Sequence, residues 1–207
     1  MTELPPLAER TIGDYLDRLG SSHPDPGGGS VAGLVGALGA GLGQMVISLT
    51  RNAPDLEPVR SELQEAIGSL LAASADDERA YAGFVAASKL PKSTPEEKAS
   101  RKAAMQSALI TSAEVPLELA QTAFRVLELL EPVVTHGTSH ALSDVEIGVN
   151  LAEAAILASL SNVGVNLPWI DNKPLAEQFG ERATTLETES RTKAERLRAM
   201  LTDRRGS

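Results

Sequence analysis

A glycine turn that opens into a long uncharged segment, together spanning Pro24 to Thr50, constrains this chain more than any other feature. Pro-Asp-Pro-Gly-Gly-Gly-Ser leads into a run in which Gly33, Ala37 and Gly41, and again Gly36, Ala40 and Gly43, recur at helical spacing. Each glycine inside a helix costs roughly 0.5–1 kcal/mol relative to alanine. So many of them imply a helix that other groups, protein or ligand, approach closely. About 20 apolar residues can also span a bilayer. The glycine content, the polar Gln44 and Ser48 and the lack of a second span favour a buried helix and no membrane partner.

The rest of the chain reads as helices. Leu7 to Leu19 is amphipathic, with Leu7, Ile12, Tyr15, Leu16 and Leu19 on one side. Ser21 to Gly29 is a loop, and Ser30 caps or opens the glycine-rich helix. A second long helix follows Pro54, with an apolar stripe through Leu56, Val59, Leu63, Ile67, Leu70, Ser74, Asp77 and Tyr81, and stops before Leu90-Pro91. Thr94-Pro95-Glu96-Glu97 carries a capping box with proline at the first helical position. The helix it starts runs to about Leu130, and Pro116 should kink or divide it. Pro132 to His140 reads as a loop, and Ser143-Asp144-Val145-Glu146 as a capping box opening a helix to about Asn166. The last helix spans about Pro174 to Met200, with a ragged tail from about 202. No segment alternates with period 2, so the expectation is all-α: a single domain over residues 1–207, a bundle of about six helices.

Composition removes several function classes. The chain has no cysteine, which excludes disulfides, thiolate catalysis and zinc–thiolate sites. A net charge of −9 and 3% aromatic residues argue against nucleic acid, which needs a basic surface and stacking platforms. With no signal-peptide pattern after Met1, a cytoplasmic protein is expected. Lys89, Lys92, Lys98, Arg101 and Lys102 cluster in sequence and suit an anionic small molecule.

Asp77 is the most informative side chain, a carboxylate on an otherwise apolar stripe. If buried and unpaired it would have a raised pKa and suit acid–base chemistry near neutral pH; it could equally belong to a solvated face with Asp76 and Glu78, or pair with a lysine. Asp144, at a helix start, is ordinary dipole chemistry by itself. Asn162 and Asn166 follow it on one face and could form a hydrogen-bonding wall or simply satisfy backbone groups. His23, His136 and His140 lack the helical context of a metal pair, and no metal site is expected. Gly27, Gly28, Gly29 and Ser30 form neither a phosphate-binding loop nor a dinucleotide fingerprint, but can present backbone N–H groups to an anionic or carbonyl-bearing ligand.

Several of these motifs occur together and in order: Pro26-Gly-Gly-Gly-Ser-Val-Ala32, Asp77-Glu-Arg-Ala-Tyr81, Lys89-Leu-Pro-Lys92 with Thr94-Pro-Glu-Glu-Lys98, Val115-Pro-Leu117, Ser143-Asp144-Val145 and Asn162-Val-Gly-Val-Asn166-Leu167. From Pro26 to about Asp171 the chain resembles the cyclodeaminase/cyclohydrolase family of folate enzymes. It departs at Gly137-Thr138, where the family usually has Gly-Asn. The resemblance implies a helical homodimer that binds a tetrahydrofolate derivative near the subunit interface and uses no cofactor beyond that substrate. It implies Asp77 and Asp144 as catalytic residues, and Gly27, Gly28, Gly29, Ser30, Lys89, Lys92, Asn162 and Asn166 as substrate-binding ones, with the lysines and Arg101 as partners for folate's anionic glutamate tail.

The implied reaction is hydrolysis of 5,10-methenyltetrahydrofolate to 10-formyltetrahydrofolate. The alternative is cyclodeamination of 5-formiminotetrahydrofolate with release of ammonia, and a third reading is a folate-binding helical dimer without catalysis. The lack of a fused formiminotransferase domain tilts the expectation towards the cyclohydrolase.

Overall fold

A computed structural model describes residue 5 and residues 7–206. Six α-helices follow one another: α1 (Ile12–Leu19), α2 (Gly28–Leu49), α3 (Glu57–Ser88), α4 (Pro95–His136), α5 (Leu142–Asn166) and α6 (Lys173–Gly206). Single 3-10 turns stand at Leu7–Glu9, Pro54–Leu56, Ser139–Ala141 and Leu167–Trp169. The described residues contain no strand, as the sequence period requires.

Helix α2 packs against α3, α4 and α5. Its glycines are what let neighbours in. A Cβ on Gly39 would stand 2.9 Å from the carbonyl oxygen of Gly148 on α5, and one on Gly148 3.1 Å from that of Gly39, so two backbones touch where two glycines meet. A Cβ on Gly33 would stand 2.6 Å from the carbonyl oxygen of Leu70 on α3. Around these crossings lie Val46, Leu63, Leu70, Leu117, Leu127, Leu130, Ala155 and Ile156, all buried.

Two segments, Gly28–Leu49 and Ser139–Trp169, are long and apolar enough to cross a membrane by length and composition. The sequence reading counted only the first. In the fold they contain α2 and α5, which pack against each other and bury much of that apolar surface.

Several helix ends differ from expectation. The N-terminal helix is divided, because Thr11 accepts the N–H of Asp14 and starts α1 only after the Leu7–Glu9 turn. Gly27, not Ser30, caps α2; Ser30 is already helical and fully buried. The Thr94 capping box forms in both directions, but α4 then runs as one helix through Pro116 and Pro132 to His136 because Val133 and Val134 are buried in the core. Ser143 caps nothing, since α5 already begins at Leu142 behind a 3-10 turn. The tail is helical to Gly206: Leu197 and Leu201 are buried, and Arg204 donates to the carbonyl oxygens of Val134 and Gly137 at the end of α4. Those carbonyls lack intrahelical partners, and a cation suits the negative end of the helix.

Candidate active site

The chemistry-bearing residues gather where the N-terminus of α2 meets the middle of α3 and the C-terminal end of α5. A cavity of about 770 Å³ opens there, lined by Gly27, Gly28 and Gly29 from α2 and its cap, Asp77, Glu78, Tyr81 and Phe84 from α3, and Asn162 and Asn166 from α5. Gln106, Leu109 and Ser112 of α4, Asp25 before α2, and Trp169 and Asp171 beyond α5 also line it.

Asp77 reaches this cavity because α3 is long and its apolar stripe continues past Leu70 and Ser74. Its carboxyl group lies directly on the first turn of α2: a Cβ on Gly29 would come within 2.2 Å of it. A side chain there would displace the Asp77 carboxyl. The first N–H groups of a helix have no intrahelical partner and carry partial positive charge. The Ser30 N–H donates to Asp77 and lowers its pKa. Burial in the cavity acts more strongly the other way, and the Glu78 carboxylate adds to it, so the Asp77 carboxyl is held above the ordinary carboxylate range. That is the direction a general acid or base near neutral pH requires.

Ser30 contributes its backbone rather than its hydroxyl. Its Oγ accepts the Tyr15 hydroxyl at 3.2 Å, and its carbonyl oxygen accepts the Ser74 hydroxyl at 3.2 Å. Tyr15, Ser30 and Ser74 are all buried. A hydrogen-bonded layer thus fixes the turn whose N–H meets Asp77.

Asn162 and Asn166 share a face of α5 but have different surroundings. The Asn162 amide lies about as far from Gly28 as ordinary van der Waals contact, with both its polar atoms 3.7 Å from a Cβ built there. Asn166 donates to the carbonyl oxygens of Ser112 at 3.0 Å and Asn162 at 2.9 Å. Ser112 lies four residues before Pro116, whose missing N–H leaves that carbonyl without its helical partner. The Asn166 amide satisfies it, which is the backbone-satisfying alternative the spacing had left open.

Other sequence candidates lie elsewhere. Asp144 is in the first turn of α5, eighteen residues before Asn162 and so roughly 27 Å away along the axis at 1.5 Å per residue; this chain's cavity does not include it. Thr138 is beside it at that far end, its N–H donating to Thr50 Oγ1. Lys89 and Lys92 are exposed beyond the end of α3 and do not line the cavity; Lys89 is roughly 18 Å along the helix from Asp77. Among the described residues no group of three His, Cys, Asp or Glu is arranged to hold a metal.

The cavity also contains residues that sequence reasoning did not select. Tyr81 and Phe84 lie on the α3 stripe, and Trp169, the only tryptophan, is 69% exposed at the cavity's edge. Gln106 holds that edge: its Nε2 donates to the Trp169 carbonyl and its Oε1 accepts the Asp171 N–H. A lone tryptophan in a proline-broken segment was the available signal for Trp169; nothing local marked Gln106.

The chain has recognisable relatives. The profile of the family described as formiminotransferase-cyclodeaminase matches residues 11–185. A methenyltetrahydrofolate cyclohydrolase from Methylorubrum extorquens is 37% identical over 175 residues, covering 81% of this chain and 84% of that protein. A formimidoyltransferase-cyclodeaminase from Gallus gallus is 33% identical over 205 residues, covering 96% of this chain; the chain spans 38% of that relative's length. Among solved structures, a formiminotetrahydrofolate cyclodeaminase from Thermotoga maritima superposes with a TM-score of 0.81 at 25% identity, covering 95% of this chain and 98% of that one.

Proposed function

The chain belongs to the formiminotransferase-cyclodeaminase family, and from that premise we propose that it is a folate one-carbon enzyme that hydrolyses 5,10-methenyltetrahydrofolate to 10-formyltetrahydrofolate. The observation that carries the chemistry is Asp77, a desolvated carboxyl seated on the N-terminus of α2 and facing a cavity large enough for a heterocyclic ligand. The Methylorubrum relative, matched over most of its length, favours this reaction over others in the family.

Water attacks the cationic bridge carbon between N5 and N10, and Asp77 takes a proton from it. The neutral carbinol then collapses: Asp77 returns the proton to N5 as the N5–C bond breaks, and the hydroxyl loses its proton as the formyl C=O forms on N10. One water is consumed and one proton released. A group whose pKa is lifted towards neutrality can accept and donate in turn, an acid–base contribution of about 10²–10⁴ in rate. The Asn162 amide and the Gly28 and Gly29 N–H groups are the polar partners available to hold the folate ring. Lys89 and Lys92 would meet only a tail that leaves the cavity along α3.

Cyclodeamination is the second reading, favoured by the fold likeness to the Thermotoga enzyme, a chain of similar extent. Both reactions move a proton to or from a folate nitrogen at the same carbon. Purified protein given methenyltetrahydrofolate is expected to bleach its absorbance faster than buffer does. Appearance of that absorbance together with ammonia from 5-formiminotetrahydrofolate would assign the cyclodeaminase instead, and binding without either change would refute both.

The same reading includes a homodimer, supported by the apolar Leu38, Met45 and Leu49 that α2 leaves exposed. Sedimentation equilibrium is expected to give twice the 21.7 kDa chain mass; a monomer at all accessible concentrations would remove the dimer from the proposal.

A further inference from the structure

The acids around the cavity follow a pattern that Asp77 breaks. Asp25, in the loop before α2, accepts from Arg18 at 2.9 Å. Asp171, across the cavity, meets Lys102 at 2.9 Å. Glu78, the residue after Asp77, accepts both terminal nitrogens of Arg10, each at 2.9 Å. Asp77 has no cation among the described residues; its polar partner is the Ser30 N–H. The other elements facing it contribute uncharged groups: Gln106 and Ser112 from α4, Asn162 and Asn166 from α5.

The Arg10–Glu78 pair is the most enclosed of the three, with side chains 7% and 12% exposed. Arg10 Nε also donates to the Pro5 carbonyl at 2.8 Å, so each of its three nitrogens holds a partner. A bidentate, desolvated pair of this kind is stronger than a surface pair and costly to break one-sidedly. It also closes a ring of contacts around the carboxyl: Glu78 holds Arg10, the next residue caps α1, α1 brings Tyr15 to Ser30, and Ser30 meets Asp77.

We propose that the Arg10–Glu78 ion pair is a positioning element of this site, which neutralises the charge beside Asp77 and seats the α1 segment over the N-terminus of α2, leaving Asp77, among the described residues, the one carboxylate at the cavity without a cation. The proposal rests on the reading of Asp77 as the proton-transfer group. The Glu78 charge already works to raise the proton affinity of Asp77, and Arg10 limits how far it does so.

The test is the titration of the Asp77 carboxyl by carbon NMR in the ligand-free protein, assigned by its absence in Asp77→Asn. Arg10→Gln unmasks Glu78 and is expected to move the titration to higher pH by about half a unit or more; Glu78→Gln leaves Arg10 unpaired and should move it lower by a similar amount. The double variant is expected to return close to wild type, and Arg10→Lys, which keeps the charge, to move it least. A merely structural pair would shift both single variants the same way through general loosening, and that result, or no shift in either, overturns the proposal. If Arg10→Gln fails to fold, Glu78→Gln is read against Arg10→Lys: a lowered titration in the first with little change in the second supports the proposal, and an unmoved or raised titration in Glu78→Gln, or an equal fall in both, overturns it. Full activity in Asp77→Asn would instead overturn the catalytic reading, whatever the titration shows.

Discussion

Asp77→Asn is expected to lower turnover by about 10²–10⁴-fold while leaving folate binding within a few-fold of wild type. Asparagine keeps the shape against Gly29 and can still accept the Ser30 N–H, so the turn at the start of α2 stays seated; what it cannot do is hold and return a proton. The acid limb of the wild-type pH–rate profile should lie above the ordinary carboxylate range, because burial raises the Asp77 pKa, and should vanish in the variant. Stability adds an independent sign. A carboxyl whose folded-state pKa exceeds its unfolded value costs nothing below the unfolded value. It destabilises progressively as pH rises towards the folded one, and the cost persists above it. Asp77→Asn should therefore melt at or above the wild-type temperature at neutral pH, with the difference shrinking as pH falls into the carboxylate range. Turnover close to wild type would remove Asp77 from the mechanism. Lost turnover accompanied by lost binding and a lower melting temperature would make it structural.

What the sequence disclosed was periodic and local. The apolar stripes give six helices, and the Thr94 capping box forms as written. Asp77 stood out because a carboxylate on an apolar face needs a reason, and the glycine turn because its backbone must be approached. Helix ends were less legible, since burial of Val133, Val134, Leu197 and Leu201 extends α4 and α6 past residues that locally read as stops.

The site exposed a subtler limit. A helical period fixes the angle around an axis but not the height along it, so Asp144 shares a face with Asn162 yet lies at the other end of α5. The Arg10–Glu78 pair joins residues 68 apart, and no local pattern announces it. Asn166 acquires its partner only because Pro116, on another helix, leaves the Ser112 carbonyl open.

Gly33→Ala is expected to destabilise the protein by about 1–3 kcal/mol, roughly 2–10 °C in melting temperature for a chain of this size, although alanine is the better helix former. Its Cβ would stand 2.1 Å from Ser74 Oγ and 2.6 Å from the Leu70 carbonyl oxygen. The serine could turn away, at the loss of its bonds to the Ser30 and Leu70 carbonyls. The Leu70 backbone can yield only if α3 moves off α2, and Asp77 lies two turns farther along α3, so activity should fall with stability. Gly41→Ala is the control within the same helix: nothing among the described residues lies within 4 Å of its Cβ, and removing a helical glycine there should stabilise by about 0.5–1 kcal/mol. Opposite signs would mean that the glycine content of α2 follows its contact with α3 residue by residue. Equal destabilisation at both positions would mean that Gly41 is also closely approached, by a ligand or a second chain, and that the crossing with α3 is not what distinguishes Gly33.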